Sequence, residues 1–386
     1  MKALIPKDWS HSTVGDACSI RNDLRLPISR EERSGMSGNF PYYGPTGVLD
    51  RIDGYRLDGT YALIGEDGDH FLDVEKKTQT ILVSGKFNVN NHAHVIETTA
   101  QCSAEWFYNY FRHRSLKPYL TRQGAGRYKL NKAALQSIPI VLPSLNEQEA
   151  INRLFREWSK AVEIAEKQIE AKEKRHAALV QFLITSVTAR RHWGTVEFGN
   201  VVAERNEKTE QHDQYPVLTS SRRGLFLQSE YFSKQVTSED NTGYKVMRCG
   251  DFTFRSMSDD GRFVFNRLTH YDAGVISPAY GVFRATDCSP AFLTHFMNSS
   301  YFANVLNRES QGGTRKALRF SAIASTEIDF PSRQQQENIA RILDSSRNEI
   351  DVEKERLTQL QLQIRGLMQK LLTGQWRVKV PEAEAA

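Results

Sequence analysis

Gln123-Gly-Ala-Gly-Arg127-Tyr-Lys-Leu130 and Gln311-Gly-Gly-Thr-Arg315-Lys-Ala-Leu318 share Gln, Gly, Arg and Leu at an offset of 188 residues. The same offset pairs Ser137 with Ser325 and Ile140 with Ile328. It pairs Pro143-Ser144 with Pro331-Ser332, and Gln148-Glu149 with Gln336-Glu337. Further on it pairs Gln181, Leu183 and Thr185 with Gln369, Leu371 and Thr373. An offset of 184 relates the two beginnings: Trp9 to Trp193, Gly15 to Gly199, Arg21-Asn22 to Arg205-Asn206. The chain is therefore an internal repeat whose two copies agree at their ends and diverge in the middle. That pattern fits two modules with one kind of task on two different targets.

Each copy ends in a helical pattern. Pro143-Ser-Leu-Asn146 precedes Glu147-Gln-Glu149, polar cap candidates followed by first-turn acids. From there Ile151, Phe155, Trp158, Val162, Ala165, Ile169, Lys172, His176, Leu179 and Leu183 alternate four and three apart. The second copy gives Ile339, Leu343, Ser346, Ile350, Glu353, Leu357, Leu360, Ile364, Leu367 and Leu371. Eight of ten positions are apolar in each, which is the heptad seam of a coiled coil. The polar lapses fall late in the first helix (Lys172, His176) and early in the second (Ser346, Glu353). An antiparallel pairing brings Lys172 or His176 beside Glu353; a parallel one separates them. The expected organisation is a module over 1–142, a spacer helix over 143–190, a module over 191–330, a spacer helix over 331–378 and a tail over 379–386.

The modules carry short strand-like runs broken by Gly, Pro, Asn and Asp: Tyr61-Ala-Leu-Ile-Gly65, Thr80-Ile-Leu-Val83 and Val275 to Phe283. Helical runs follow near Ala104–Phe111 and Pro290–Leu306. These features predict α+β modules with mixed sheets, separated by the two antiparallel helices. Polar and basic residues gather on the expected loops. In the first module they are Lys86, Asn88, Asn91 and His92, then Arg112, Arg114, Arg122, Gln123 and Arg127, interleaved with tyrosines. In the second they are Arg222, Arg223, Arg255, Ser258, Arg262, Gln311 and Arg315. Arg suits guanine, Asn and Gln suit adenine, and Ser suits bases or phosphate. The glycines of the recurring Gln-Gly-x-x-Arg loop allow close approach to a phosphate, and its Arg supplies charge. A packed turn is the competing reading.

Composition is permissive. A net charge of +5 is spread thinly: 18 basic against 15 acidic residues over 1–142, and 16 of each over 191–330. Phosphate contact must come from local clustering. Cys18, Cys102, Cys249 and Cys288 make no C-x-x-C pair and read as reduced thiols of a cytosolic protein. No stretch of 18 apolar residues is present, so no membrane span is expected.

Phe40-Pro-Tyr-Tyr-Gly-Pro-Thr-Gly47, Tyr61-Ala-Leu-Ile-Gly-Glu-Asp-Gly68, Leu142-Pro-Ser-Leu-Asn-Glu-Gln148 and Leu371-Leu-Thr-Gly-Gln-Trp-Arg-Val378 resemble stretches of type I restriction-modification specificity (S) subunits. With the duplicated plan, the resemblance covers essentially the whole chain. The second copy departs from it at Arg333-Gln-Gln-Gln336, where the first has Leu145-Asn-Glu-Gln148. The resemblance implies two target-recognition domains reading double-stranded DNA, no catalytic site and no cofactor in this chain. It implies two methyltransferase (M) subunits, which would bind S-adenosylmethionine, and two restriction (R) subunits, which would use ATP and Mg2+.

Two rival readings are an enzyme and an adaptor. The amino-methyltransferase signature is absent, since the chain has no Pro-Pro, and no G-x-x-x-x-G-K-[ST] loop occurs. Asp73 with Glu75 and Lys77 resembles a metal-dependent nuclease cluster, but has no counterpart in the second copy. His92-x-His94 offers two metal ligands without a third. A coiled-coil adaptor that touches only proteins would share the seam but would not need module middles rich in Arg, Asn, Ser and Tyr.

Overall fold

The computed structural model describes residues 5–74, 77–122, 128–231, 240–309 and 316–379. It divides into two compact units: residues 1–164 with 357–386, and residues 165–356. The boundary cuts both long helices, Leu145–Val180 and Arg333–Leu372, so each unit holds one module and a piece of each helix.

The first module is built on a six-stranded sheet in the order Ser19–Ile20, Ala93–Glu97, Leu57–Gly65, Thr80–Val89, Ser37–Gly44, Gly47–Ile52. Its neighbours are antiparallel, except that Ser37–Gly44 lies parallel to Thr80–Val89. The strand Leu57–Gly65 shows the period of two that a strand buried on both faces requires. Ala62 and Ile64 join the core under the helix Ala104–Phe111, while Leu57 and Leu63 face a second cluster with Phe87 and Val95.

The second module has a four-stranded antiparallel sheet in the order Val202–Glu204, Tyr280–Ala285, Phe252–Arg255, Phe265–Arg267. This is the order of the first four strands of the first module. The equivalence extends to single bonds. Arg21 N–H donates to Val95 O at 2.8 Å, and Arg205 N–H donates to Val282 O at 2.9 Å. A short antiparallel pair closes each module, Ser10 opposite Leu142 in one and Gly194 opposite Phe330 in the other.

The repeated glutamines explain themselves here. Ser103 N–H donates to Gln148 Oε1 at 2.9 Å, and Gln148 Nε2 donates to Pro143 O at 3.1 Å. Ser289 N–H donates to Gln336 Oε1 at 2.8 Å, and Gln336 Nε2 donates to Pro331 O at 2.9 Å. Each buried amide stitches the start of a long helix to the capped start of a module helix.

Every seam position of both helices is buried or half-buried. Within each unit the helices run antiparallel. Lys172 Nζ lies 3.8 Å from Glu353 and 3.2 Å from Glu349, the contact the polar lapses predicted. His176 pairs instead with the ring of His295 at 6.0 Å. Ser346 is buried with its Oγ lacking a hydrogen-bond partner.

Some expected boundaries are corrected. The first spacer helix stops at Val180, turns through a single π-helical stretch Gln181–Thr185 that buries Ile184, and resumes as Val187–Arg190. The second ends at Leu372, where Gly374 takes φ 71° and a Cβ would meet Pro6 Cδ at 2.3 Å. The run Val275 to Phe283 is two strands, Ala273–Ile276 and Tyr280–Ala285, because Pro278 has no N–H to continue a ladder. The run Pro290–Leu306 is two helices, Pro290–Met297 and Ser300–Glu309; Ser299 accepts from Phe302 and Ala303 and starts the second.

Candidate nucleic-acid interface

Both Gly-rich loops, with Gln123, Arg127, Gln311 and Arg315, lie outside the described residues. Their flanks are described, and they are equivalent. Leu130 N–H donates to Glu66 O at 2.7 Å, and Leu318 N–H donates to Ser256 O at 2.9 Å. In each module the chain leaving the loop runs beside the segment that follows the central strand.

Around this place the first module gathers charges from separate stretches. His94, 0 % exposed, accepts at Nδ1 from Arg25 at 2.8 Å and donates from Nε2 to Leu130 O at 2.8 Å. Burial holds its pKa below the usual histidine value, so the ring is neutral. Burial alone would raise the Glu66 carboxyl, but the hydrogen bond and charge of Arg25 and the hydrogen bond from Lys129 hold it below the usual range. His92 is exposed, with Nδ1 2.7 Å from Asp67. Arg122 stacks 5.4 Å from the Tyr128 ring on the hairpin next to the loop. Elsewhere, Arg112 lies over Tyr108, and Arg114 lies 3.9 Å from the Tyr110 ring and donates to its hydroxyl at 2.8 Å. Those two are held at the end of the module helix.

Lys86 and Asn88 are not on a loop; both belong to the strand Thr80–Val89. Lys86 is exposed with Nζ 4.6 Å from the Tyr55 ring centre. Asn88 is fully buried and donates to Gly54 O at 2.6 Å. It is a core residue, because the strand is buried on both faces at this end, with the parallel partner Tyr42 opposite. Asn91 is exposed, and its carbonyl accepts from Arg25 at 2.9 Å.

In the second module four of the expected residues converge. A pocket of about 140 Å³ is lined by Arg222, Arg255, Ser258 and Arg262, together with Asp259 and Ser220. Asp260 organises it. It pairs with the Arg222 guanidinium and accepts from Ser258 Oγ at 3.0 Å and from Arg262 N–H at 3.2 Å. Arg222 beside it, with these hydrogen bonds, lowers its carboxyl to about 2. Arg223 lies 5.1 Å from the Tyr231 ring, outside the pocket lining.

Arg25, Glu66, Asp67 and Asp260 are not among the residues expected from sequence, because a pattern of basic and amide side chains gives no sign of the acids that hold the basic groups in place. A signal existed for Asp260: Asp260-Gly261 is a turn dipeptide between Ser258 and Arg262. Among the described residues no group of three His, Cys, Asp or Glu side chains could hold a metal. His92 and His94 have different partners, and Glu75 lies outside the described residues. No helix of the described residues is long and apolar enough to cross a membrane.

The family model for the type I restriction modification DNA specificity domain matches residues 6–173 and again 204–362. The chain belongs to that family, with one domain in each half. A type I restriction enzyme MjaVIII specificity subunit of Methanocaldococcus jannaschii is similar over 97 % of this chain and 94 % of its own length, at 21 % identity. A chain named as a type I restriction enzyme specificity subunit in Haemophilus influenzae is 34 % identical over 142 residues; that match spans 37 % of this chain and 35 % of the relative. The fold is shared with the crystal structure of a type I S subunit from M. genitalium, with TM-score 0.56 and 11 % identity over 96 % of this chain and 97 % of the other. A chain from a structure of type I R-M complex assembly and conformational transition gives TM-score 0.57 at 14 % identity, covering 96 % and 99 %.

Proposed function

We propose that each module reads one half of a bipartite, non-palindromic DNA target, and that the two long antiparallel helices act as the spacer between half-sites. In this reading the chain directs adenine methylation by two M subunits and cleavage by two R subunits. It binds no cofactor itself; S-adenosylmethionine belongs to M, and ATP with Mg2+ to R. Alone it transfers no methyl group and hydrolyses no ATP. Arg127 and Arg315 contact phosphate, which positions the duplex without reading it.

One observation carries this reading. The repeat preserves the frame down to single hydrogen bonds, yet sets different polar groups at the equivalent place beside the Gly-rich loop. A protein-only adaptor has no use for two matched frames with unlike polar lips. The test is exchange of residues 191–330 for the corresponding module of a relative, followed by methylome sequencing of the host. One half of the methylated motif changes and the other stays; a change in both halves sinks the two-reader proposal.

A further inference from the structure

The inference rests on the DNA-reading function just proposed and names one reader within it. The polar groups of the pocket in the second module fall into two sets. Arg222, Ser258 and the backbone of Arg262 all point their donors at Asp260. Their hydrogen-bonding capacity is turned inward, to the shape of the pocket. The exposed side chain of Arg262 makes no hydrogen bond or ion pair with any described residue, and neither does that of Arg255.

Its backbone is fixed, however. Arg255 is the last residue of the central strand Phe252–Arg255, in register opposite Tyr280 and directly after the buried Phe254. A side chain carried on a sheet is placed more firmly than one on a loop. Arg262, by contrast, follows Gly261, which takes φ 73° in a turn.

A guanidinium presents a planar fork of donors. Two nucleic-acid groups match it: a phosphate, and the O6/N7 edge of guanine. The lining separates them. Asp259 forms part of the pocket wall, and Asp260, the acceptor for Arg222 and Ser258, follows it in the chain. The carboxylates of Asp259 and Asp260 offset charge among the three guanidinium groups of Arg222, Arg255 and Arg262, which weakens the pull on a phosphate and leaves a neutral base edge unaffected. We propose that Arg255 reads a guanine in the half-site of the second module, and that Asp260 is a positioning residue that holds Arg222 and Ser258 around it.

The equivalent place in the first module supports a specificity role. Glu66 and Ser256 are matched by their bonds to Leu130 and Leu318, so the residue before Ser256 corresponds to Gly65. The first module has no side chain there, and a Cβ on Gly65 would meet the His70 ring at 2.7 Å. Arg255 thus belongs to what differs between the readers.

The experiment uses the full chain in complex with M subunits. Methylome sequencing gives the motif, and duplexes are made with 7-deazaguanine, which lacks the N7 acceptor, at each guanine of the second half-site in turn. The wild-type complex loses about tenfold or more in affinity at one guanine, the scale of a bidentate base contact. Arg255→Ala loses a similar factor on the unmodified duplex, becomes indifferent to that 7-deazaguanine, and keeps the wild-type salt slope. Arg255→Lys, which retains the charge and can still donate to the guanine edge, keeps part of the guanine dependence that Arg255→Ala loses. Asp260→Asn weakens binding while keeping it. The proposal is overturned if Arg255→Ala stays sensitive at the same guanine, if its salt slope falls by about one with uniform weakening, as for a phosphate contact, or if the second half-site contains no guanine. In each of those cases the module exchange still moves one half-site, so the two-reader function survives. A complex without sequence-dependent binding overturns both.

Discussion

The two modules solve one packing problem in opposite ways. On the central sheet of the first, Ile64 lies opposite His94; at the same point of the second, Phe254 lies opposite Gly281. A medium residue faces a ring in one, and a ring faces nothing in the other. A Cβ on Gly281 would come within 2.2 Å of Phe254 Cε1, so the glycine is the space the phenylalanine occupies. The swap has a chemical consequence. The histidine brings a buried polar network with Arg25 and Glu66 to the foot of the first reader, while the second has an apolar foot of Phe254, Phe265 and Phe283. A duplicated frame therefore tolerates divergence in its core when volume is exchanged across a strand pair.

The sharpest test of that comparison has the largest effect. Phe254→Ala costs about 3–5 kcal/mol by leaving a cavity, and Gly281→Ala costs about 1–3 kcal/mol by overfilling the site. In the Phe254→Ala background the Gly281→Ala cost shrinks or changes sign, since the ring it strikes is gone. Denaturant unfolding of the four combinations measures the coupling; additive penalties would mean the two residues do not share one space.

The second prediction concerns what the modules have in common. Gln148→Ala and Gln336→Ala each strand a buried backbone N–H and carbonyl, so each costs about 1–3 kcal/mol per group left unpaired. The two losses should be alike. A loss at only one would show that the glutamine is a fixture in one unit and an ornament in the other.

The third effect is smaller and belongs to the first module. His94 is neutral in the fold, with its pKa lowered by burial. Below about pH 6.5 the unfolded chain takes up a proton that the folded ring refuses. Stability is therefore complete above that pH and is lost as pH falls, by at most about 1.4 kcal/mol per unit for this group. His94→Gln, whose amide can still donate to Leu130 O, should flatten the acid limb of a stability–pH curve. An unchanged limb would assign the slope to other buried histidines, such as His295 of the second unit.

How much of this was legible follows from register. The heptad seams could be read because nothing is inserted within either helix, so one offset serves throughout, and Lys172 meets Glu353 as the polar lapses required. The repeated Gln148 and Gln336 were visible for the same reason, although their role was not, since a long-range bond to Ser103 or Ser289 leaves no local trace. The exchange of Ile64 and His94 for Phe254 and Gly281 was hidden. The first pair is related by 190 residues and the second by 187, so no fixed offset aligns both. Asn88 misleads because its polarity gives no sign that the strand Thr80–Val89 is buried on both faces at that end. The pocket residues were found singly, but Arg222 and Arg262 converge only through Asp260, which charge counting alone had not singled out.

The docking of Met368, Leu371 and Arg377 sets an order of events during synthesis. Arg377 binds both Asp8 and Glu147, and Met368 and Leu371 complete the apolar core around Trp9 and Phe155. The unit built on residues 1–164 thus lacks part of its interior until residues 357–379 have been made, while residues 165–356 are a continuous stretch available earlier. The later module has all its residues before the earlier one does. A message cut short before residue 357 would yield an intact second unit and a first unit with an open apolar face, a product that quality-control proteases can recognise by its exposed core.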